Sequence, residues 1–92
     1  MEKTKERTID EKKALITRLN KVTGQINGIK QMIEDDRYCS DIIIQVQASV
    51  SALKQVANII LDNHLHSCVI RDVQDGKVEI IDEVVSLFKK LQ

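Results

Sequence analysis

Three residues of this 92-residue chain have side chains suited to holding a soft metal ion: Cys39, His64 and Cys68. His64 and Cys68 are four positions apart. On a helix that spacing projects both side chains from one face, a turn apart. Cys39 precedes His64 by 25 positions. If one straight helix carries all three, a rise of about 1.5 Å per residue puts Cys39 roughly 37 Å from His64. No single ion spans that distance. Two copies of the helix packed antiparallel bring the start of one beside the end of the other. Cys39 of one chain then meets His64 and Cys68 of its partner, and a two-fold dimer carries two such sites.

Two thiolates and one imidazole form a soft set of low coordination number, which favours Cu(I) or Zn(II). Zinc normally takes four ligands. The other histidine, His66, lies about 200° round a helix from His64 and is expected to point away. Three ligands suit Cu(I) better than structural zinc. The residues alone leave other readings open. A cysteine is often a small buried hydrophobe, and no CxxC pair sharpens the pattern. A catalytic Cys–His dyad needs an orienting group, an oxyanion hole and a cleft. A glycine-poor chain of this size offers little of these, so an enzyme is not expected.

The elements that must position these residues are helices. Hydrophobic residues make up 42% of the chain, yet its aromatics are Tyr38 and Phe88 alone; proline is absent and glycine occurs three times. Repeating Ile, Leu, Val and Ala with few breakers is how bundles and coiled coils are built. Residues 1–8 are charged and aperiodic and are expected to form a flexible tail, with Thr8 or Asp10 as the first cap. Leu15, Leu19, Val22, Ile26, Ile29 and Ile33 then follow a 4-3 spacing along a first helix. Gly24 and Gly28 lie within it, and close backbone packing is expected there. The run Glu34-Asp35-Asp36-Arg37 ends it. A second helix is expected from Cys39 or Ser40, capped by Ser40 or Asp41. Its buried stripe is expected to be Val46, Val50, Leu53, Ala57, Ile60 and Leu61. Nothing obliges it to break before His64 or beyond, up to the turn signal Asp75-Gly76. A short third helix presents Ile80, Ile81, Val84, Val85, Phe88 and Leu91. The chain thus reads as one all-α domain, residues 1–92. So small a domain is marginally stable alone, and association is a usual remedy.

Formal net charge is zero, so a nucleic-acid partner requires local concentration of positive charge. Between Glu11 and Glu34 there is no acidic residue, while Lys12, Lys13, Arg18, Lys21 and Lys30 lie there. Arg18, Lys21 and Gln25 share a stripe beside the apolar seam. Such a face neutralises phosphates, or is simply solvated. The charged N-terminus, Met1 to Lys13, lacks the apolar core of an export signal. No apolar run approaches membrane-spanning length. The cytoplasm is therefore the expected compartment, without a membrane partner. There, two cysteines are expected to be reduced.

Three strings together are specific: Gly24-Gln25-Ile26-Asn27-Gly28-Ile29, Asp36-Arg37-Tyr38-Cys39, and His64-Leu65-His66-Ser67-Cys68. Over about residues 12–91 the chain resembles the CsoR/RcnR family of bacterial metal- and stress-sensing repressors. The Cys–His–Cys pattern is most similar to its copper(I)-sensing branch. The nickel/cobalt branch uses more histidines, the persulfide-sensing branch lacks the histidine, and the formaldehyde-sensing branch lacks the second cysteine. The resemblance implies an antiparallel helical homodimer assembling to a homotetramer. The apo form binds operator DNA, and Cu(I) held across the subunit interface releases it. It further implies that Tyr38 and Glu83 hydrogen-bond near the metal-bound imidazole, with Glu83 aligned through a loop one residue shorter around Gly76. DNA contacts are implied at Arg18 in the first helix, where Lys21 adds to the basic stripe, and at Lys54 in the second. Family members often carry further basic residues where this chain has Asn20 and Asn27, and Arg where it has Lys21. Lys lacks the bidentate fork of Arg, which implies weaker binding or a different operator. The competing readings are a thiol sensor of the same fold, another metal sensor, or a structural helical interaction module.

Overall fold

A computed structural model describes residues 6–91; of the expected flexible tail, residues 1–5 lie outside the described residues. The described residues contain helices and no strand: α1 (Ile9–Glu34), α2 (Cys39–His64), a π-helical turn (Leu65–Val69), α3 (Ile70–Gln74) and α4 (Ile80–Lys90). The backbone stays right-handed helical at His64 and Ile70, on either side of the π turn. Helices α2 and α3 are therefore one long helix with a single widened turn, and the protomer is a three-helix, all-α chain.

Thr8 starts α1 by accepting a hydrogen bond from the Glu11 N–H at 3.1 Å. Asp10 and Glu11 in the first turn complement the helix dipole. Helix α1 stops through a Schellman arrangement. The Arg37 N–H donates to the Met32 carbonyl at 2.9 Å and the Asp36 N–H to the Ile33 carbonyl at 3.2 Å. This puts Asp36 in the left-handed region, at φ 54°. Helix α3 ends on the same pattern, with Lys77 donating to Asp72 at 2.7 Å and Gly76 to Val73 at 3.0 Å. There the left-handed position falls on Gly76, at φ 85°.

Helix α2 does not use its expected caps. Ser40 and Asp41 lie inside its first turn. The carbonyl of Tyr38 accepts from the Asp41 and Ile42 N–H groups at 3.1 and 3.3 Å, so the helix begins at Cys39, two residues earlier than a Ser40 cap requires and three earlier than an Asp41 cap. Asp41 there complements the dipole instead.

The chain forms two compact units, Met1–Leu53 and Lys54–Gln92. In the first, a four-residue link joins α1 to the N-terminal half of α2, a length within the range of αα-hairpin loops. Among its described residues Leu15, Val22 and Ser49 are buried. In the second unit Val56, Val69 and Ile80 are buried, and the continuous segment of π turn and α3 packs against α4.

The expected core is only partly realised within the protomer. On α1, Leu19, Ile26 and Ile33 are exposed; on α4, so are Ile81, Val85 and Phe88. The expected stripe of α2 is the largest correction: Val46, Val50 and Leu53 are 42%, 46% and 44% exposed. The more buried face of α2 is instead Ile42, Ser49, Ala52, Val56 and Ile59. Helix α2 has two apolar stripes, and the protomer covers one of them. Gly24 and Gly28 also depart from expectation. A Cβ at either position meets no atom within 4 Å, so no close packing within the protomer requires them.

Candidate metal centre

Cys39 is the first residue of α2 and is exposed, with a free thiol. His64 is the last residue of the same helix. Cys68 lies in the π turn, half-buried and also free. At about 1.5 Å of rise per residue, an α-helix of this length holds its two ends roughly 37 Å apart. Among the described residues of one protomer, no group of three His, Cys, Asp or Glu side chains could hold a metal ion.

The pair at the far end of α2 has the better-defined surroundings. His64 is half-buried, and its Nε2 is shut off from solvent without a hydrogen-bond partner. Buried ring nitrogens without partners are rare, since each forfeits its hydration. One nitrogen of a neutral imidazole carries a lone pair, and four residues on stands a thiol. A metal-binding nitrogen and a thiolate on one helix face fit a soft ion. His66 is different: it is exposed, and its Nδ1 lies 2.9 Å from the Asp62 carbonyl oxygen. That bond ties the ring back along its own helix.

Two local features escaped the sequence. The first is the π turn, closed by a hydrogen bond from the Ile70 N–H to the Leu65 carbonyl. Such turns recur at functional sites, but Leu65–Val69 contains no glycine or proline to signal one. The second is Ser67, whose hydroxyl donates to the Asn63 carbonyl at 2.6 Å and stands 3.8 Å from Cys68 Sγ.

The exposed stripe of α2 links the two ends. Cys39, Ile43, Val46, Val50, Leu53, Ala57, Ile60 and His64 follow a 4-3 repeat without interruption, the seam spacing of a helix that packs against another helix. Ile43, Val46, Val50, Leu53 and Ile60 are all exposed. The period was legible in the sequence; the side of the helix that a protomer leaves open was not.

Of the remaining expected residues, Tyr38 directly precedes α2 with its ring 73% exposed, and Glu83 lies in the first turn of α4. Arg18 and Lys21 are exposed on α1, three residues apart, with Lys12, Lys13 and Lys30 exposed on the same helix; Lys54 is exposed on α2. No helix among the described residues is long and apolar enough to cross a membrane.

Comparison with known proteins places this arrangement. The copper-sensing transcriptional repressor CsoR of Bacillus subtilis (strain 168) is 42% identical over 81 residues, covering 87% of this chain and 80% of that one. The crystal structure of the copper-sensing repressor CsoR with Cu(I) from Geobacillus thermodenitrificans NG80-2 matches with a TM-score of 0.87 at 34% identity, over 95% of this chain and 92% of that one. The nickel-responsive transcriptional regulator InrS matches with a TM-score of 0.74 at 30% identity, over 97% and 98% of the two chains. A family model described as metal-sensitive transcriptional repressor matches residues 11–90. The chain therefore belongs to the metal-sensitive transcriptional repressor family.

Proposed function

We propose that this chain is a copper(I)-responsive repressor whose apo form binds operator DNA and whose Cu(I)-bound form releases it. The observation that carries the reading is the 4-3 stripe of α2, which runs from the exposed Cys39 to the half-buried His64 and whose Ile43, Val46, Val50, Leu53 and Ile60 are exposed in the protomer. Antiparallel pairing of two such stripes buries both and sets Cys39 of one protomer beside His64 and Cys68 of its partner. Burying five exposed Ile, Val and Leu side chains per copy favours association, at roughly 25 cal/mol per Å² of apolar surface removed from water. The same pairing gives the orphaned Nε2 of His64 something to bind.

Cys39, His64 and Cys68 then offer two thiolates and an imidazole. That set is soft and three-coordinate, which favours Cu(I) over nickel despite the likeness to a nickel regulator. Tyr38 neighbours Cys39 and so reaches the partner's end of the site. We assign Tyr38 and Glu83 to hydrogen bonds that orient the bound imidazole, the usual work of groups around a metal ligand. Arg18, Lys21 and Lys54 neutralise operator phosphates, and counterion release supplies affinity. Two dimers associate into a homotetramer, each chain acting as one domain in the cytoplasm.

Both thiols are free and Cys39 is exposed, which supports a second reading, a thiol-reactive inducer acting on Cys39 and the partner's Cys68. Anaerobic Cu(I) titration of the reduced protein, followed by operator binding with and without the metal, tests the assignment. One Cu(I) per chain and loss of DNA affinity are expected. Unchanged DNA affinity at saturating Cu(I) overturns it.

A further inference from the structure

Among the described residues, the hydroxyls of Thr23, Ser49 and Ser67 bond to the carbonyl four residues back: Thr23 to Leu19 at 3.1 Å, Ser49 to Gln45 at 3.2 Å and Ser67 to Asn63 at 2.6 Å. Such bonds are common in helices, but the third differs from the other two. It is the shortest, it falls in the π turn, and its oxygen also lies 3.8 Å from Cys68 Sγ. The preceding carbonyl, Asp62, is held as well, by His66 Nδ1 at 2.9 Å. Side chains of the π turn thus grip two successive carbonyls immediately ahead of it. A π turn is a rare and poorly favoured state of a helix. One that persists needs local ties, and these are the ties the structure supplies.

We propose that Ser67 is a positioning residue for Cys68, pinning the π turn through Asn63 and orienting the neighbouring sulfur through the same hydroxyl oxygen. A serine hydroxyl has one hydrogen and two acceptor lone pairs. Its hydrogen points to the Asn63 carbonyl, so the oxygen faces the sulfur as an acceptor and the Cys68 thiol donates. This interaction fixes the rotamer of the protonated Cys68 thiol before any metal arrives; the thiol proton is lost to solvent as the sulfur binds Cu(I), and the pre-set rotamer is what favours the metal. The π turn packs on α4, the helix that carries Glu83, so fixing the turn also steadies that helix. The inference rests on the reading of Cys68 as a metal ligand.

The test compares wild type, Ser67→Ala and Ser67→Thr in the full-length protein. The first measurement is metal-free: the alkylation rate of Cys68, with Cys39 in the same chain as internal reference. Ser67→Ala is expected to raise the Cys68 rate about threefold or more, as the sulfur loses its tether and gains exposure, while Cys39 is unchanged. The second is Cu(I) affinity by competition with a chelator, read by the thiolate-to-copper absorbance band. Ser67→Ala is expected to lower it about tenfold, within the range for groups that orient metal ligands. Ser67→Thr keeps the hydroxyl and is expected to restore both values. Wild-type behaviour of Ser67→Ala in either measurement overturns the proposal, as does failure of Ser67→Thr to rescue. If wild type itself binds no Cu(I), it is the copper reading that fails, and the alkylation arm still reports whether Ser67 positions Cys68.

Discussion

Cys39 and His64 are the first and last residues of one uninterrupted α-helix, joined by an apolar repeat that the protomer leaves exposed. One chain has no means of closing a three-ligand site around both. The first prediction follows from this. A Cys39→Ala chain lacks one half of each site, and a His64→Ala/Cys68→Ala chain lacks the other. Neither homodimer is expected to bind Cu(I) with the full ligand set. Mixed and re-equilibrated, the two form heterodimers in which one of the two sites is intact. Recovery of part of the wild-type Cu(I)–thiolate signal is expected on mixing; its absence, with heterodimers demonstrably present, rules out the shared site.

The second prediction concerns the basic face. Arg18 and Lys54 are exposed, so alanine at either leaves the fold intact. Removing one cation from a DNA phosphate is expected to reduce the slope of log affinity against log salt by about 0.9. Cu(I) affinity is expected to stay at the wild-type value in both variants. Operator titrations at several salt concentrations measure this. Unchanged slopes in both return the stripe to a solvated face.

The helix stops give a third. Asp36 and Gly76 occupy the same left-handed position in two equivalent motifs. Asp tolerates that region better than most residues, but glycine enters it without steric penalty. Gly76→Ala is expected to destabilise by about 1 kcal/mol, and Asp36→Gly to be neutral or stabilising by less than about 1 kcal/mol. Gly24 and Gly28 behave oppositely, because a Cβ there meets open space in ordinary helical backbone. Alanine at either is expected to stabilise by roughly 1 kcal/mol. Urea denaturation of the apo protein measures all four. Destabilisation by alanine at Gly24 or Gly28 places a partner copy against that face.

These positions also show what the sequence could reveal. Asp75-Gly76 is legible as a turn because the left-handed conformation selects glycine. Cys39, His64 and Cys68 stand out in the sequence as candidate ligands by residue type and by the four-residue spacing of the last two, and helix length alone keeps one ion from reaching both ends of α2. The stripes of α2 were legible as a period but not as a side. Apolar residues at 4-3 spacing look alike whether they face the same chain or another copy, so Val46, Val50 and Leu53 read as core when the protomer exposes them. The π turn was not legible at all. It is a matter of hydrogen-bond register, with the Ile70 N–H bonded to the Leu65 carbonyl, and no residue type in Leu65–Val69 demands it.

The last prediction separates copper from thiol chemistry through His64. Its Nε2 is buried and unpartnered in the protomer, so a bound metal gives it a role that thiol oxidation does not. Forming a disulfide or persulfide at Cys39 and Cys68 requires no imidazole. His64→Ala removes a half-buried ring at the end of α2, and the apo variant is expected still to bind operator DNA. The two thiolates are expected still to bind Cu(I), since soft sulfur ligands favour it. Release of DNA is expected to be blunted, because the imidazole that Tyr38 and Glu83 are assigned to orient is gone. The deciding measurement is operator release by Cu(I) and, separately, by a persulfide donor, in wild type and in the variant. A copper sensor loses much of its copper response in His64→Ala. A thiol sensor keeps an undiminished response to the persulfide donor in both proteins, with copper acting on both alike. That second pattern would transfer the inducer from the metal to the thiols while leaving the fold as described and the proposed interface and DNA face untouched.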